Sequence, residues 1–329
     1  MCKAPGFRIL LILAYVGVCR AGRCTETSRQ LGGTQARPVP ATAPAADASA
    51  ARAPTTVGPA RAAPRPSPTP ATILDGAIAA LESRRSVSAR IRQEVGLFGR
   101  RLVGSGSYLE LRTDEACLSR LELRIQLGQQ TGSLVQVCDA KSIWTHRRLL
   151  DDGKLDRVDL ARVERALQKA GRSGEEPIAD YLGSLCGVGR LLRGLRRNFF
   201  FPAAQPGLWG PEKRPVWRLS GRWTPERLAE ILPDQKEAIT RGELPDMSDL
   251  PPPLPEEVVL LLGQADLFPY RVEFHRPGSA RRRVLVTMDL YDVAFDAAVD
   301  PGRFRYAPGD VSYADRTKEV IESLRMRER

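Results

Sequence analysis

The stretch Arg120-Leu121-Glu122-Leu123-Arg124-Ile125-Gln126-Leu127 alternates polar and apolar residues without a fault. A period of two puts the four apolar residues on one face of a half-buried strand. Gly128-Gln129-Gln130-Thr131-Gly132 reads as a hairpin loop, and residues 134–138 return. Asp139-Ala140-Lys141-Ser142 then turns the chain into Ile143-Trp144-Thr145-His146, with Asp139 capping the turn it begins. Strands joined by loops this short pair antiparallel.

The pattern extends in both directions. Upstream, Thr72 reads as the N-cap of a helix whose stripe is Ile73, Leu74, Ala77, Ile78 and Leu81. Val87, Ala89 and Ile91 then alternate with Ser88, Arg90 and Arg92. Gly104-Ser105-Gly106 reads as a bend in a strand. Downstream, residues 156–170 and 179–197 carry helical spacing, and strands resume at 216–219. Thr224 caps a short helix over 225–232, with proline at its first position. A proline-rich loop over 245–255 leads to strand-like runs at 257–262, 270–275, 283–290 and 292–295, and residues 314–324 read as a closing helix. No βαβ rhythm is present, so a doubly wound sheet is disfavoured. The expected fold class is α+β: one large, curved antiparallel β-sheet with helices covering its concave side.

The whole chain has 329 residues, a net charge of +11, 42% hydrophobic and 27% charged residues. These proportions are those of a globular protein. Most of the positive excess lies in the first 71 residues, with nine basic and two acidic side chains. A nucleic-acid module concentrates its charge on a folded face instead, so no nucleic-acid partner is expected. The runs at 193–197 and 281–283 read as a solvated helix face and a hairpin tip. Lys3 and Arg8 precede an apolar run over 9–18, too short to span a bilayer but the size of a signal-peptide core. Residues 1–21 are therefore read as an export signal, cleaved after Ala21. A second reading keeps Cys19 as an acylated anchor, although Val18 stands where a lipobox has a small residue. Residues 22–71 are a Pro/Ala-rich tether, with too little apolar surface to offset ordering entropy. The folded domain is expected over 72–329, with a helical insert at about 151–255.

Catalytic constellations are missing from the sequence. There is no G-x-S-x-G, H-E-x-x-H, P-loop, G-x-G-x-x-G or C-x-x-C. His146 and His275 sit in separate strands, and two histidines and six cysteines leave little for a metal centre. No enzyme activity, cofactor or metal is expected. Cys117 and Cys138 flank one hairpin without being directly opposed, and Cys186 is left over; a disulfide and buried thiols both remain open.

Asp139-Ala140-Lys141-Ser142-Ile143-Trp144-Thr145-His146 resembles the Asp-Gly-x-x-x-Trp-x-Tyr hairpin of outer-membrane lipoprotein carriers, the LolA/LolB and lipoprotein-sorting group. Ser86-Val87-Ser88-Ala89-Arg90-Ile91-Arg92-Gln93 is similar to their first strand, and Gly104-Ser105-Gly106-Ser107-Tyr108 to the opening of their second. Phe304-Arg305-Tyr306-Ala307-Pro308-Gly309 looks like their closing strand. Ala140 and His146 depart from the pattern, and Thr113-Asp114-Glu115-Ala116-Cys117 replaces an Arg-Pro-Gly-x-Phe-Arg-Trp stretch. The resemblance implies an unclosed half-barrel that holds acyl chains beneath a helical lid. It implies an exported monomer of the periplasm or the periplasmic face of an envelope membrane, binding lipid or an acylated protein. Leu121, Leu123, Ile125, Val135, Val137 and Trp144 are the expected ligand-cavity residues. An interaction or sensor domain on the same fold, without a lipid ligand, is the alternative.

Overall fold

A computed structural model describes residues 68–325, except 98–99, 128–129, 150–151, 170–186, 252–253 and 277–282. The signal segment, Cys19, most of the tether and Cys186 therefore lie outside the described residues. The first helix, α1 (Pro70–Ser83), starts earlier than expected. Thr69, not Thr72, is its N-cap, and its hydroxyl accepts the Thr72 N–H at 3.2 Å. Pro70 explains the shift, because its fixed φ and missing N–H suit the first helical position. The buried stripe of Ile73, Leu74, Ala77 and Leu81 is the expected one.

Six strands follow: β1 (Ser86–Leu97), β2 (Arg100–Arg112), β3 (Cys117–Leu127), β4 (Gln130–Cys138), β5 (Ser142–Leu149) and β6 (Asp152–Asp159). They form an antiparallel meander in sequence order. Gly104 and Gly106 lie inside β2 rather than at a bend. A Cβ built on Gly106 would meet the Glu122 backbone oxygen at 1.7 Å, so glycine here permits the close approach of β3. At the β4–β5 turn, Asp139 Oδ1 accepts the N–H groups of Lys141 (3.0 Å) and Ser142 (2.7 Å), as its capping role requires. Ala140 takes φ of 71° there, the conformation glycine adopts most readily.

The region expected as a helical insert holds strands as well. After β6 come α2 (Leu160–Lys169) and α3 (Val188–Asn198), then β7 (Phe199–Phe200), β8 (Ala204–Trp209) and β9 (Arg214–Trp223). Helices α4 (Pro225–Ile231) and α5 (Lys236–Thr240) follow. Thr224 caps α4 as expected, accepting the Arg227 N–H. β10 (Glu257–Gly263), β11 (Pro269–Arg276) and β12 (Arg283–Phe295) are the late strand-like runs, the last two merged into one. β13 (Ala314–Asp315) and α6 (Thr317–Arg325) end the described chain.

Among the described residues these strands form one 13-stranded sheet, in the order β13-β6-β5-β4-β3-β2-β1-β12-β11-β10-β9-β7, with β8 also on β9. Pairing is antiparallel except where β13 meets β6. The first and last strands do not meet, so the sheet is an unclosed half-barrel of α+β class. Helices α1, α3 and α4 cover its inner face, where Leu123, Leu134, Leu192, Leu219 and Val272 belong to one buried cluster. The segment expected as a closing strand is instead a strap across the outer face. Phe304 ends a 3-10 turn (Pro301–Phe304) and packs with Leu109, Leu111 and Leu118. Arg120 donates to the Arg303 carbonyl at 2.9 Å.

Candidate functional site

The register of β3 and β4 divides the expected cavity residues between two faces. Leu127 pairs with Gln130, so the hairpin loop is shorter than the five residues expected. Directly opposed residues of an antiparallel pair share a face. Leu123 faces Leu134 and Leu121 faces Gln136, whereas Val135 faces Glu122 and Val137 faces Arg120. Leu121, Leu123 and Ile125 therefore point inward with Leu134. Val135, Val137 and Trp144 point outward, and Val137 is the partner of Trp144. Trp144 is buried beneath the strap, stacked on Tyr306 at 5.5 Å and edge-on to Tyr313 at 5.1 Å.

The inward three sit in the cluster that also holds Ile73, Leu74 and Leu81 of α1 and Leu191, Leu192 and Leu195 of α3. The leucines of α3 recur at helical spacing, so this helix lays one apolar side on the sheet. Its polar side is tied to α1 by Arg193–Glu82 (2.5 Å) and Arg196–Asp75 (3.0 Å), ion pairs that are more than a third exposed. The basic run at 193–197 thus includes a helix-to-helix seam as well as a solvated face.

A polar knot, which the sequence pattern does not signal, holds the N-terminus of α3. Glu110 is 3% exposed and points inward from β2. Its carboxylate accepts from the Tyr108 hydroxyl, from Cys117 Sγ at 3.2 Å and from the Val188 N–H at 3.3 Å. The Val188 N–H also donates to Tyr108 Oη at 2.9 Å. The positive end of α3 favours this carboxylate. Gly187 has φ of 119°, and a Cβ there would meet Glu110 Oε2 at 2.9 Å. Burial and then the Glu110 charge push both the Tyr108 hydroxyl and the Cys117 thiol well above their ordinary ranges. Cys117 is accordingly a poor nucleophile, and no disulfide joins it to Cys138.

The two histidines lie apart. His146 is on the outer face near Tyr306, with ring centroids 6.4 Å apart. His275 lines a groove of about 400 Å³ with Trp223, Leu228, Met247, Glu256 and Arg276. Its Nε2 lies 2.9 Å from Glu273 Oε2, while Nδ1 is buried without a hydrogen-bond partner among the described residues. A carboxylate–histidine pair activates a nucleophile only when one is in reach. No serine, threonine or cysteine is among the described residues lining this groove. A second cavity, of about 830 Å³, opens beyond the end of α1, where Arg84 pairs with Asp296 at 3.1 Å. Among the described residues no group of metal-ligating side chains converges, and no helix is long and apolar enough to cross a membrane.

No family model and no curated protein matches this chain. Solved structures do. The chain is similar to the Pseudomonas aeruginosa MucA/MucB complex (TM-score 0.36, 11% identity, 72% of this chain and 60% of that one). It is similar to the Mycobacterium tuberculosis lipoprotein LppX (TM-score 0.34, 9% identity, 70% and 96%). It is also similar to a LolA superfamily protein from Nitrosomonas europaea (TM-score 0.25, 9% identity, 73% and 99%).

Proposed function

We propose that this chain is an exported protein of the cell envelope that binds an acyl chain, or the acylated end of a partner protein, between the inner sheet face and α3. The observation that carries this reading is how α3 is held. Its leucines lie with Leu121, Leu123, Ile125 and Leu134 in one apolar cluster, while its bridges to α1 are exposed. Exposed ion pairs contribute about 0–1 kcal/mol each. Apolar burial is thus the main force on the helix body, and an acyl chain offers the same sheet residues equivalent burial. Sixteen methylenes at ~0.8 kcal/mol each give on the order of 10 kcal/mol before ordering costs. The resemblance of the β1 and β4–β5 segments to lipoprotein carriers supports the same reading. Cys19 would serve as the anchor if acylated, and the tether would let the domain reach away from the membrane. No bond-making step is assigned to any residue.

Native mass spectrometry of the full chain purified from cells, with lipid extraction, tests this. A bound acyl species of defined mass is the expected result. Leu121→Lys should weaken uptake of a fluorescent fatty acid at least tenfold, and Val135→Ala, on the opposite face, should leave it unchanged. The filled inner face favours a second reading: Leu123 and Leu134 are each 1% exposed, and Leu192 is fully buried. A protein that is empty and takes up no probe would be an interaction or sensor domain without a lipid ligand.

A further inference from the structure

The register of the first five strands builds a feature on the outer face that no single strand displays. Arg92 pairs with Ser105, Ser105 with Arg124, Arg124 with Ser133, and Ser133 with Arg148. Arginine and serine therefore alternate across the sheet in one straight row. Neighbouring strands are ~4.8 Å apart, so the arginines recur about every 10 Å. We propose that this outer face of β1–β5 is a docking surface for the phosphate headgroups of an anionic lipid membrane.

Charge on this face is unbalanced. Arg90, Arg92, Arg101, Arg120, Arg124 and Arg148 share it with two carboxylates, Glu94 and Glu122. Both carboxylates are engaged: Glu94 by Arg92 (2.9 Å) and Arg101, Glu122 by Arg120 (2.6 Å). The neighbouring strand β12 presents Asp289 to Arg92, but Arg271 holds that carboxylate at 2.8 Å. Arg90, Arg124 and Arg148 are exposed and have no partner among the described residues. Tyr291, 37% exposed, pairs with Arg90 at the edge of this patch, and a tyrosine suits a boundary that is apolar on one side and wet on the other. The strap covers Trp144 and Leu109 but leaves the arginine row open.

The shape selects among anionic partners. From Arg92 to Arg148 the row crosses four strand spacings, ~19 Å. The major groove of DNA is about 12 Å wide and admits a helix or a two-stranded ribbon, not five strands abreast. A bilayer surface presents phosphates in two dimensions and accommodates such a row. The proposal is independent of what the inner face binds.

Co-sedimentation of the full chain tests it, on phosphatidylcholine vesicles with and without phosphatidylglycerol. The leader and tether are identical in every variant compared. One arginine near an anionic surface is worth about fivefold in affinity. The triple variant Arg90→Ser, Arg124→Ser, Arg148→Ser should therefore bind anionic vesicles roughly a hundredfold more weakly than the wild type. The triple lysine variant should stay within about fivefold of wild type. On neutral vesicles the serine and lysine variants should bind as the wild type does, each more weakly than wild type binds anionic vesicles. Thermal midpoints verify folding, and the single variant Arg124→Ser, with its expected fivefold loss, serves if the triple variant does not fold. Unchanged binding by the serine variants, equal binding to neutral vesicles, or tighter binding to duplex DNA at equal phosphate would each overturn the proposal.

Discussion

Gly106 and Gly104 lie two residues apart in β2, yet they tolerate a methyl group very differently. A Cβ on Gly106 would fall 1.7 Å from a backbone oxygen, and one on Gly104 would meet Ile125 Cγ1 at 3.4 Å. Backbone cannot yield as a side chain does, so Gly106→Ala should cost about 3 kcal/mol and Gly104→Ala under about 1 kcal/mol in urea unfolding. Equal costs would show that β2 and β3 can move apart. Glu273 contributes to the pH dependence of stability. Its bond to His275, then the nearby Arg271, hold its carboxyl below the ordinary range against the opposing effect of burial. In a carboxyl of depressed pKa, the folded state releases its proton more readily than the unfolded chain, so the stabilisation is complete above the unfolded pKa of about 4.3 and fades as pH falls through the folded value. Thermal melts of Glu273→Gln should therefore fall below wild type at pH 7 and converge with it as pH falls through the folded value. A constant gap would place the effect in packing instead.

At the scale of elements, turns decide more than strands do. The β4–β5 turn keeps alanine at φ of 71°, a conformation that costs an L-residue roughly 1–2 kcal/mol. Ala140→Gly relieves that cost and should raise the thermal midpoint by a few degrees, less what glycine adds to the entropy of the unfolded chain. A lower midpoint would mean that the alanine methyl makes contacts worth more than the strain. This is also the position where the lipoprotein-carrier hairpin has glycine. The β3–β4 turn has the larger consequence, because its length sets which residues oppose one another. Strand existence was legible in the alternation of residues 120–127, and so was the shared face of Leu121, Leu123 and Ile125. The face taken by the β4 residues was not. Residues 134–138 are apolar on both faces, with Leu134 inward and Val135 and Val137 outward, so hydropathy could not say which side met the helices.

Among the described residues, helices cover the inner face of the sheet and the C-terminal strap covers part of its outer face. Phe304 anchors the strap and is 1% exposed. Truncating a buried phenylalanine costs about 3–5 kcal/mol. Phe304→Ala should therefore lower global stability by that amount and increase amide exchange in β2 and β3, as read by hydrogen–deuterium exchange. Exchange that rises only in the strap would show that it is an appendage rather than part of the core. The sequence did not announce this element, because residues 296–313 have neither a strand nor a helix period; their burial depends on apolar side chains supplied by distant strands.

Taken alone, the amino-acid sequence determined what is local: the strands around 87–91, 120–127 and 143–146, the stripe of α1, the capping residues Thr224 and Asp139, and the lack of catalytic motifs; the strand β6 runs into the stretch from residue 156 onward whose spacing reads as helical. Period and capping express contacts between residues a few positions apart, so they can be read along the chain. The tertiary structure decided what depends on pairing across the chain. It placed Val137 and Trp144 on the face opposite Leu123, gathered Tyr108, Glu110 and Cys117 at the start of α3, and aligned Arg92, Arg124 and Arg148 in one row. A strand presents alternate residues to opposite sides, so one residue of register reverses every side chain. That register was set by turns whose lengths hydropathy does not record.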